Sequence, residues 1–358
     1  MQAVSIRQGP STPYSAANPA PASALFLDDN APIPPLTRPG ELLVRVHAAT
    51  VTRDELTWPE TYGPNGSTIL GHDFAGEVVD TFDHADTGLR AGDPVYGMTA
   101  AKCAHSTWAQ FAVVQRAETA RKPTRLDWAG AATVPMSALT AWQALFVHAG
   151  VAEPDLSNNN NKKKKKKKNN TNTTTASKET SRRLLVTGAS GAVGSYIVQL
   201  GALAGLHVTA ASRSKADNAG LLHSLGADEI VEYDELLLPD RGNEFDVVTD
   251  TVGGQTLENC WRVVRDGGCL ITVDSSSLGF VDEPPKNEEE KVKRDRVKAK
   301  GFIVEADGVQ LQKIALAVYL GLLGTFVARI FPIREASEAY EVGGRRAARR
   351  GKIVLSVD

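Results

Sequence analysis

The sequence is poor in cysteine, in aromatic residues, in net charge and in long apolar runs. Its 358 residues include three cysteines, Cys103, Cys260 and Cys269, without paired spacing, which excludes a disulfide framework and suits a reducing compartment. The most apolar segment, residues 314–328, has fifteen residues, whereas a membrane-spanning helix needs roughly 17 to 25. No targeting signal stands out after Met1. We therefore expect a cytoplasmic protein with no membrane partner.

The distribution of charge argues against a nucleic-acid partner. The formal net charge is −2, and seven of the positive charges form the run Lys162–Lys168, so the remaining residues carry −9. The run is the one basic patch, and no aromatic side chains are interleaved with it. It lies in residues 154–181, a low-complexity segment rich in Asn, Lys and Thr that cannot bury enough apolar surface to offset its ordering entropy. We predict a linker insertion there.

A glycine-rich turn between a strand and a helix is the most informative motif. Residues 183–187 predict the strand, and the helix follows the last glycine. Glycines at three-residue spacing let the turn tighten and let the backbone approach a pyrophosphate, while the helix N-terminus supplies amide donors. The spacing departs from the commoner G-x-G-x-x-G, and tight turns also need glycine for steric reasons alone. The predicted cofactor-binding residues of this turn are Gly188, Ser190, Gly191, Ala192, Val193 and Gly194.

The next segment indicates which dinucleotide binds. Residues 206–211 predict the second strand of a β-α-β unit, and an NAD enzyme usually has an acidic residue at the end of that strand for the ribose 2′-hydroxyl. Here the loop contains Ser212, Arg213 and Lys215, and the first acid is Asp217. Arg213 and Lys215 can neutralise a 2′-phosphate, so we predict that NADPH is the cofactor. The alternative is a solvated basic loop without a ligand.

Further strand patterns extend this unit into a parallel sheet. Residues 244–250 and 267–273 are each apolar stretches next to glycines, as expected for buried parallel strands. The chain length of 358 residues and a hydrophobic fraction of 42% are enough for roughly two domains with separate cores. The predicted fold class is therefore α/β.

Four motifs occur together: GHDFAGEVV at residues 71–79, GDPVYG at 92–97, PMSALTA at 135–141 and GASGAVG at 188–194. In these motifs the chain resembles the medium-chain dehydrogenase/reductase superfamily, and within it the zinc-free quinone and enoyl reductases. The resemblance implies a GroES-like, mainly β catalytic domain at residues 1–150 that is completed by residues 307–358. It also implies a Rossmann domain with a doubly wound parallel sheet at residues 182–306, an active site in the cleft, and a homodimer.

The resemblance raises the question of zinc. Zinc alcohol dehydrogenases of this superfamily hold a catalytic metal with Cys, His and Cys. At the corresponding positions this sequence has Val51, His72 and Met136, so two ligands are missing. The structural zinc of those relatives needs four closely spaced cysteines, and Cys103 stands alone in that region. We predict no metal site, and a hydrogen-bonded structural role for His72.

Three further residues are assigned by the resemblance. Thr140 occupies the position that commonly lies at the nicotinamide, and Tyr233 the position of a tyrosine near the 2′-phosphate. Tyr62 is the candidate proton donor or substrate contact. For Thr140 the alternative is a local helical hydrogen bond, for Tyr233 a half-buried strand position, and for Tyr62 an aromatic ring that packs on its own domain.

Without a Lewis acid, a conjugated acceptor is easier to reduce than a simple ketone, because the negative charge spreads into an enolate or phenolate. We therefore predict an NADPH-dependent reductase of a small-molecule quinone or enone. One alternative is an enoyl reductase that acts in trans in a biosynthetic, polyketide-like pathway. Another is a catalytically idle NADPH-binding protein.

Overall fold

The structure is a computed structural model that describes residues 1–7, 13–62, 69–82, 88–100, 107–157, 181–285, 287–344 and 350–357. Cys103, the lysine run and most of the linker insertion lie outside the described residues, so the interpretations of these segments remain predictions. The chain divides into two compact units. The first unit joins Met1–Leu139 to Glu305–Asp358, and the second unit is Thr140–Val304. The division at Leu139 comes earlier in the chain than the predicted boundary at residue 150.

Strands are numbered in chain order through both units. They are β1 (Ala3–Ile6), β2 (Leu25–Asp28), β3 (Glu41–Thr50), β4 (Asp73–Thr81), β5 (Pro94–Met98), β6 (Phe111–Gln115), β7 (Thr119–Arg121), β8 (Arg183–Val186), β9 (His207–Ala211), β10 (Glu229–Val231), β11 (Phe245–Asp250), β12 (Val264–Thr272), β13 (Lys298–Gly301), β14 (Val327–Pro332) and β15 (Lys352–Ser356).

Helices are numbered in the same way. They are α1 (Trp128–Ala132), α2 (Pro135–Trp142), α3 (Ala192–Leu203), α4 (Lys215–Leu225), α5 (Gly254–Val263), α6 (Glu288–Arg296), α7 (Gly308–Tyr319) and α8 (Ala336–Gly344). A π-helical turn, Gln143–His148, continues α2. In the part of the chain that the structure describes, no helix has the length and apolarity needed to cross a bilayer.

Local sequence signals explain where several helices begin and end. Ser214 caps α4 by accepting a hydrogen bond from the main-chain N–H of Asp217, and Gly226 ends the same helix with a φ of 110°. Asn287 caps α6 and Asp307 caps α7 through their side-chain oxygens. These caps satisfy amide groups that a helix leaves without an internal partner.

The first unit is built around one seven-stranded sheet. Its order is β14-β15-β3-β4-β5-β7. Strand β6 pairs with the first half of β3, whereas β15 pairs with the last residues of β3. The pairs are antiparallel apart from β14 with β15, which are parallel. Pairing of β15 with β3 joins the end of the chain to its beginning. The core includes Leu42, Val44, Phe74, Trp108 and Leu355.

The second unit contains a six-stranded sheet in the order β10-β9-β8-β11-β12-β13. Every pair in it is parallel. The chain moves outward from β8 to β10, returns to the other side of β8 at β11, and moves outward again, which is the doubly wound Rossmann order. Its core includes Leu185, Phe245, Val248, Trp261 and Leu270.

The predicted fold class is confirmed. The structure also contains a strand, β13, that the sequence analysis does not predict. β13 (Lys298–Gly301) follows α6 and, among the described strands, pairs only with β12, at the edge of the sheet. Its sequence, Lys-Ala-Lys-Gly, has no apolar alternation, and lysines are common on edge strands because they discourage further pairing. Pairing with β12 therefore forms a strand that its own composition does not predict.

Candidate active site

The second unit has a topological switch point, where the order of strands along its sheet reverses. Strands β8 and β11 are neighbours, yet the chain leaves β8 toward β9 and leaves β11 toward β12. The loops at the carboxyl ends of β8 and β11 therefore diverge, and in open α/β sheets this switch point is where ligands bind. The glycine turn follows β8, and the segment Thr251–Gly253 follows β11.

The glycine turn is shaped by close approaches that exclude side chains. Gly188 has a φ of 61°, and a Cβ atom there would lie 2.2 Å from the Thr251 hydroxyl. A Cβ atom on Gly194 would lie 2.2 Å from the carbonyl oxygen of Gly188. Inside the turn, the N–H of Gly191 donates to the Gly188 carbonyl at 2.9 Å. These distances give the first and third glycines steric roles, as the sequence predicted.

The N-terminus of α3 continues directly from this turn. Gly191 is the N-cap residue, and it has no side chain to accept from the first amides of the helix. Gly191 is exposed, whereas Ser190, Ala192 and Val193 are half-buried around it. A helix N-terminus capped by glycine presents amide donors and positive dipole to an anion. The turn therefore fits the pyrophosphate of a dinucleotide.

Asp250, at the end of β11, accepts hydrogen bonds from several groups at the switch point. The sequence analysis assigned it no role. Its buried carboxylate accepts hydrogen bonds from the hydroxyl of Thr187 at 2.6 Å and the hydroxyl of Thr272 at 2.9 Å. The N–H of Gly253 donates to it at 2.9 Å. Burial raises the pKa of Asp250, and these donors act in the opposite direction. The carboxylate thus ties together the ends of β8, β11 and β12.

Tyr233 reaches the glycine turn from the end of β10. Its hydroxyl accepts a hydrogen bond from the main-chain N–H of Gly188 at 3.1 Å. Burial raises the pKa of Tyr233, and the positive charge of Arg213 partly offsets this effect. The structure therefore brings Tyr233 together with the first glycine of the turn.

The basic loop is in contact with carboxylates from the segment after β10. Ser212 is buried and its hydroxyl accepts from the side-chain amide of Asn218 at 3.0 Å, while Arg213 is exposed. The main-chain N–H of Lys215 donates to Glu232 at 2.8 Å. The ammonium group of Lys215 lies 3.9 Å from a carboxylate oxygen of Glu235. Both acids follow β10 in sequence, so a search limited to the residues after β9 does not find them.

In the first unit, the residues that follow Val51 and His72 in the sequence both contact Met136, the third position aligned with a zinc ligand. Val51 is buried, and its hydrocarbon side chain has no atom that could bind a metal ion. The hydroxyl of Thr52 donates to the thioether sulfur of Met136 at 3.6 Å. His72 is also buried, with its Nδ1 atom 3.3 Å from the carbonyl oxygen of Thr99. Among the described residues, no three His, Cys, Asp or Glu side chains are grouped so that they could hold a metal ion.

A buried acid lies beside His72. A carboxylate oxygen of Glu55 accepts from the main-chain N–H of Gly71 at 2.5 Å and lies 3.9 Å from Nε2 of His72. The other carboxylate oxygen is buried without a hydrogen-bond partner among the described residues. Burial raises the pKa of Glu55, while the histidine and the Gly71 amide lower it. The carboxyl group is therefore held in an environment that favours its neutral form.

Asp73, the residue after His72, forms a buried ion pair with Lys352 on β15. The same carboxylate accepts from the Thr50 hydroxyl at 2.6 Å and from the main-chain N–H of Met136 at 2.7 Å. It thus connects β3, β4, β15 and the start of α2. Because each buried charge is paired and hydrogen-bonded, the cluster satisfies the conditions under which buried ions are tolerated.

The two predicted catalytic residues have different settings. The Tyr62 hydroxyl donates to the carbonyl of Leu56 at 2.6 Å and accepts from the main-chain N–H of Ala20 at 2.8 Å. Burial raises the pKa of Tyr62, and its ring packs against the core of the first unit. Thr140 is buried in α2 at the start of the second unit. The contacts of Tyr62 hold it in place, and a catalytic role for either residue remains a prediction.

Comparison with known proteins identifies relatives along the whole chain. Residues 225–355 match the family described as zinc-binding dehydrogenase, and residues 38–127 match the alcohol dehydrogenase GroES-like domain. A protein of Arthroderma benhamiae named "Probable zinc-binding oxidoreductase, mitochondrial" is 33% identical, with 99% of each chain covered. The mouse "NAD(P)H oxidoreductase RTN4IP1, mitochondrial" is 27% identical over 93% of this chain and 86% of its own. The quinone oxidoreductase structure from Coxiella burnetii has the same fold, with a TM-score of 0.75, 24% identity and coverage of 100% and 99% of the two chains.

Proposed function

Because this chain belongs to the medium-chain dehydrogenase/reductase superfamily, we propose that it is an NADPH-dependent, zinc-independent oxidoreductase. Its substrate in this proposal is a quinone or an α,β-unsaturated carbonyl compound. The superfamily predicted from the sequence motifs is confirmed, and it makes the chain an oxidoreductase with a nicotinamide cofactor. The proposal adds the identity of the cofactor, the absence of zinc and the class of acceptor.

The observation that carries the proposal is the set of side chains at the metal-ligand positions. A buried valine and a thioether replace the two thiolates, and zinc in proteins is held by Cys, His, Asp or Glu. The remaining histidine, His72, faces a carbonyl oxygen on one side and Glu55 on the other. These residues do not fit a catalytic zinc ion, although one of the matching families is described as zinc-binding. Reduction of an unactivated ketone would therefore lack electrophilic assistance.

The second unit supports the cofactor assignment. The glycine turn presents an exposed, glycine-capped helix N-terminus to a pyrophosphate, and the loop after β9 adds the positive charge of Arg213. A bound nicotinamide supplies the hydride, and the protein positions the acceptor and excludes water. When hydride adds to the β-carbon of an enone, the charge moves to the carbonyl oxygen as an enolate, which then takes a proton.

The test is NADPH oxidation by the purified full-length protein with a panel of quinones, short enones and enoyl thioesters. Turnover with quinones or enones, and weak or no turnover with simple ketones, supports the proposal. Turnover restricted to enoyl thioesters would instead assign the chain to biosynthetic enoyl reduction. Tight NADPH binding without turnover of any acceptor would identify a catalytically idle binding protein.

Zinc independence is tested on the same preparation. We expect elemental analysis to find zinc well below one equivalent per chain, and prolonged dialysis against a strong chelator to leave the turnover number unchanged. A zinc alcohol dehydrogenase treated in parallel provides the positive control for metal removal. Loss of activity that added zinc restores would refute this part of the proposal. Cytoplasmic location and a homodimeric state stay predictions.

A further inference from the structure

The basic loop after β9 carries less net charge than its own sequence indicates. One of its two cations, Lys215, contacts two carboxylates from the segment after β10: its main-chain amide donates to Glu232 and its ammonium group lies near Glu235. The formal charges of Arg213 and Lys215 on one side and of Glu232 and Glu235 on the other therefore sum to zero. This matters because the predicted preference for NADPH depends on the attraction of the loop for a 2′-phosphate.

The two cations are not equivalent in the structure. Lys215 is the first residue of α4; its amide is bonded to Glu232 and its ammonium group lies near Glu235. Arg213 is exposed and makes no hydrogen bond or ion pair with a carboxylate anywhere in the described ranges. Its charge acts instead on the hydroxyl of Tyr233, which is bonded to the glycine turn. Arg213 is thus the cation of the loop that no carboxylate contact among the described residues offsets.

The position of Glu232 has a second effect. The first amide of a helix is a preferred place for an anion, and here the Glu232 carboxylate occupies that place at α4. A 2′-phosphate near the same helix end would be repelled by this carboxylate and could not use the amide. Glu232 and Glu235 are also bonded to each other, because the main-chain N–H of Glu232 donates to the Glu235 side chain at 2.8 Å. The acids are therefore fixed relative to the loop by the capping box they form together.

We propose that Glu232 and Glu235 are specificity-determining residues that offset Lys215, so that discrimination in favour of NADPH depends on Arg213. The inference rests on the proposed function, because it assumes that the wild-type protein prefers NADPH. It assigns opposite effects to Arg213 in the basic loop and to the two acids after β10. Removing Arg213 weakens the preference, removing either acid strengthens it, and removing Lys215 changes it little.

The experiment measures dissociation constants of NADP⁺ and NAD⁺ by titration calorimetry on the full-length protein. In R213Q we expect NADP⁺ to bind roughly 10- to 150-fold more weakly, the range of one charge-assisted hydrogen bond, with NAD⁺ unchanged. In K215Q the loss for NADP⁺ is less than about threefold. In E232Q and E235Q, NADP⁺ binds about two- to fivefold more tightly, the range of one exposed ion pair.

D234N is the matched control, because Asp234 is an exposed carboxylate in the same turn and makes no contact with the basic loop among the residues described. It removes the same charge, and we expect the ratio of the two dissociation constants to stay at the wild-type value. In the double variant K215Q/E235Q the gain seen in E235Q disappears, since the acid then has no lysine to offset. Thermal midpoints of all variants, measured without cofactor, identify any that change folding instead of binding.

The outcomes separate this inference from the proposed function. A wild-type protein that does not prefer NADP⁺ overturns the cofactor assignment, and this inference with it. A wild-type preference for NADP⁺ that K215Q abolishes as fully as R213Q overturns the inference alone. So does a D234N variant that shifts the preference as much as E232Q, because the acids would then act only through total charge.

Discussion

The hydroxyl of Tyr233 accepts a hydrogen bond from the main-chain N–H of Gly188 at 3.1 Å. This bond connects the end of β10 to the glycine turn after β8, although β9 lies between those strands in the sheet. It means that the residue predicted to sit near a 2′-phosphate also helps to hold the turn that fits the pyrophosphate. The two ends of the cofactor site are therefore mechanically linked.

Y233F should loosen this link. The substitution leaves the half-buried Gly188 N–H without its acceptor, and the loss costs at most about 1–3 kcal/mol, the range for a fully buried donor. We expect a lower free energy of unfolding in urea and weaker binding of both NADP⁺ and NAD⁺, because the affected turn is common to both cofactors. Y319F is the control, since Tyr319 is 57% exposed in the first unit and should be neutral in both assays. Unchanged NADP⁺ affinity in Y233F would show that the turn holds its shape without the tyrosine.

G194A tests the steric role of the third glycine. The new Cβ atom would lie 2.2 Å from the Gly188 carbonyl oxygen and 2.8 Å from the Ala189 Cα, and both are backbone atoms that cannot rotate away. Overpacking of this kind costs about 1–3 kcal/mol, so we expect lower stability and a loss of NADPH affinity of at least tenfold. In G220A, which has no atom within 4 Å of the new methyl group, stability should rise by about 0.4–1 kcal/mol. Calorimetric titration and thermal unfolding distinguish the two variants.

D73N tests the buried ion pair of the first unit. The asparagine can still accept from the Thr50 hydroxyl, but the Lys352 ammonium loses its counter-charge in a buried site. Removal of one partner from such a pair typically costs about 3–5 kcal/mol. D93N breaks the more exposed pair with Arg121 and should cost less than about 1 kcal/mol. The double variant D73N/K352M should recover part of the loss, and chemical denaturation that shows equal effects for D73N and D93N would contradict this account.

The raised pKa of Glu55 predicts how stability changes with pH. Burial keeps this carboxyl group protonated in the folded protein at pH values where the unfolded chain has already released the proton, above its ordinary value of 4.5. The stability gained from the neutral form is complete below 4.5 and is lost as pH rises through the folded-state pKa. The free energy of unfolding of the wild-type protein relative to E55Q should therefore fall as pH rises.

E229Q gives the opposite comparison. Its hydrogen bond from Arg241 lowers the pKa of Glu229, so this carboxylate stabilises the fold above its ordinary pKa and loses the effect as pH falls. The free energy of unfolding of the wild-type protein relative to E229Q should therefore rise with pH. A pH series of urea titrations measures both differences, and parallel slopes for the two variants would disprove the assignment for Glu55.

The features that could be predicted are those that depend on residues close together in the sequence. The apolar stretches of β9, β11 and β12 and the spacing of Gly188, Gly191 and Gly194 are local patterns, and each identified its element. Local pattern and tertiary structure agree at these positions because a buried strand requires a run of apolar residues and a tight turn requires glycine, wherever their partners lie in the sequence.

Contacts between distant parts of the chain were not predictable in this way. Lys352 and Asp73 are 279 residues apart, and nothing in either segment indicates the other as its partner. The acids opposite the basic loop follow a different strand, so a search along one strand does not include them. Tyr62 was selected for its chemistry, whereas its two main-chain bonds depend on the path of residues near Ala20. Sheet order, and not local spacing, determines which of these groups meet.

The pairing of β15 with β3 has a consequence for synthesis on the ribosome. The first unit cannot complete its sheet until residues after Lys352 have been made, because β15 lies between β3 and β14. The second unit is continuous in sequence and is fully synthesised before that point. During translation the second unit can therefore fold before Lys352, the ion-pair partner of Asp73, has been synthesised. The unit whose synthesis begins first is completed last.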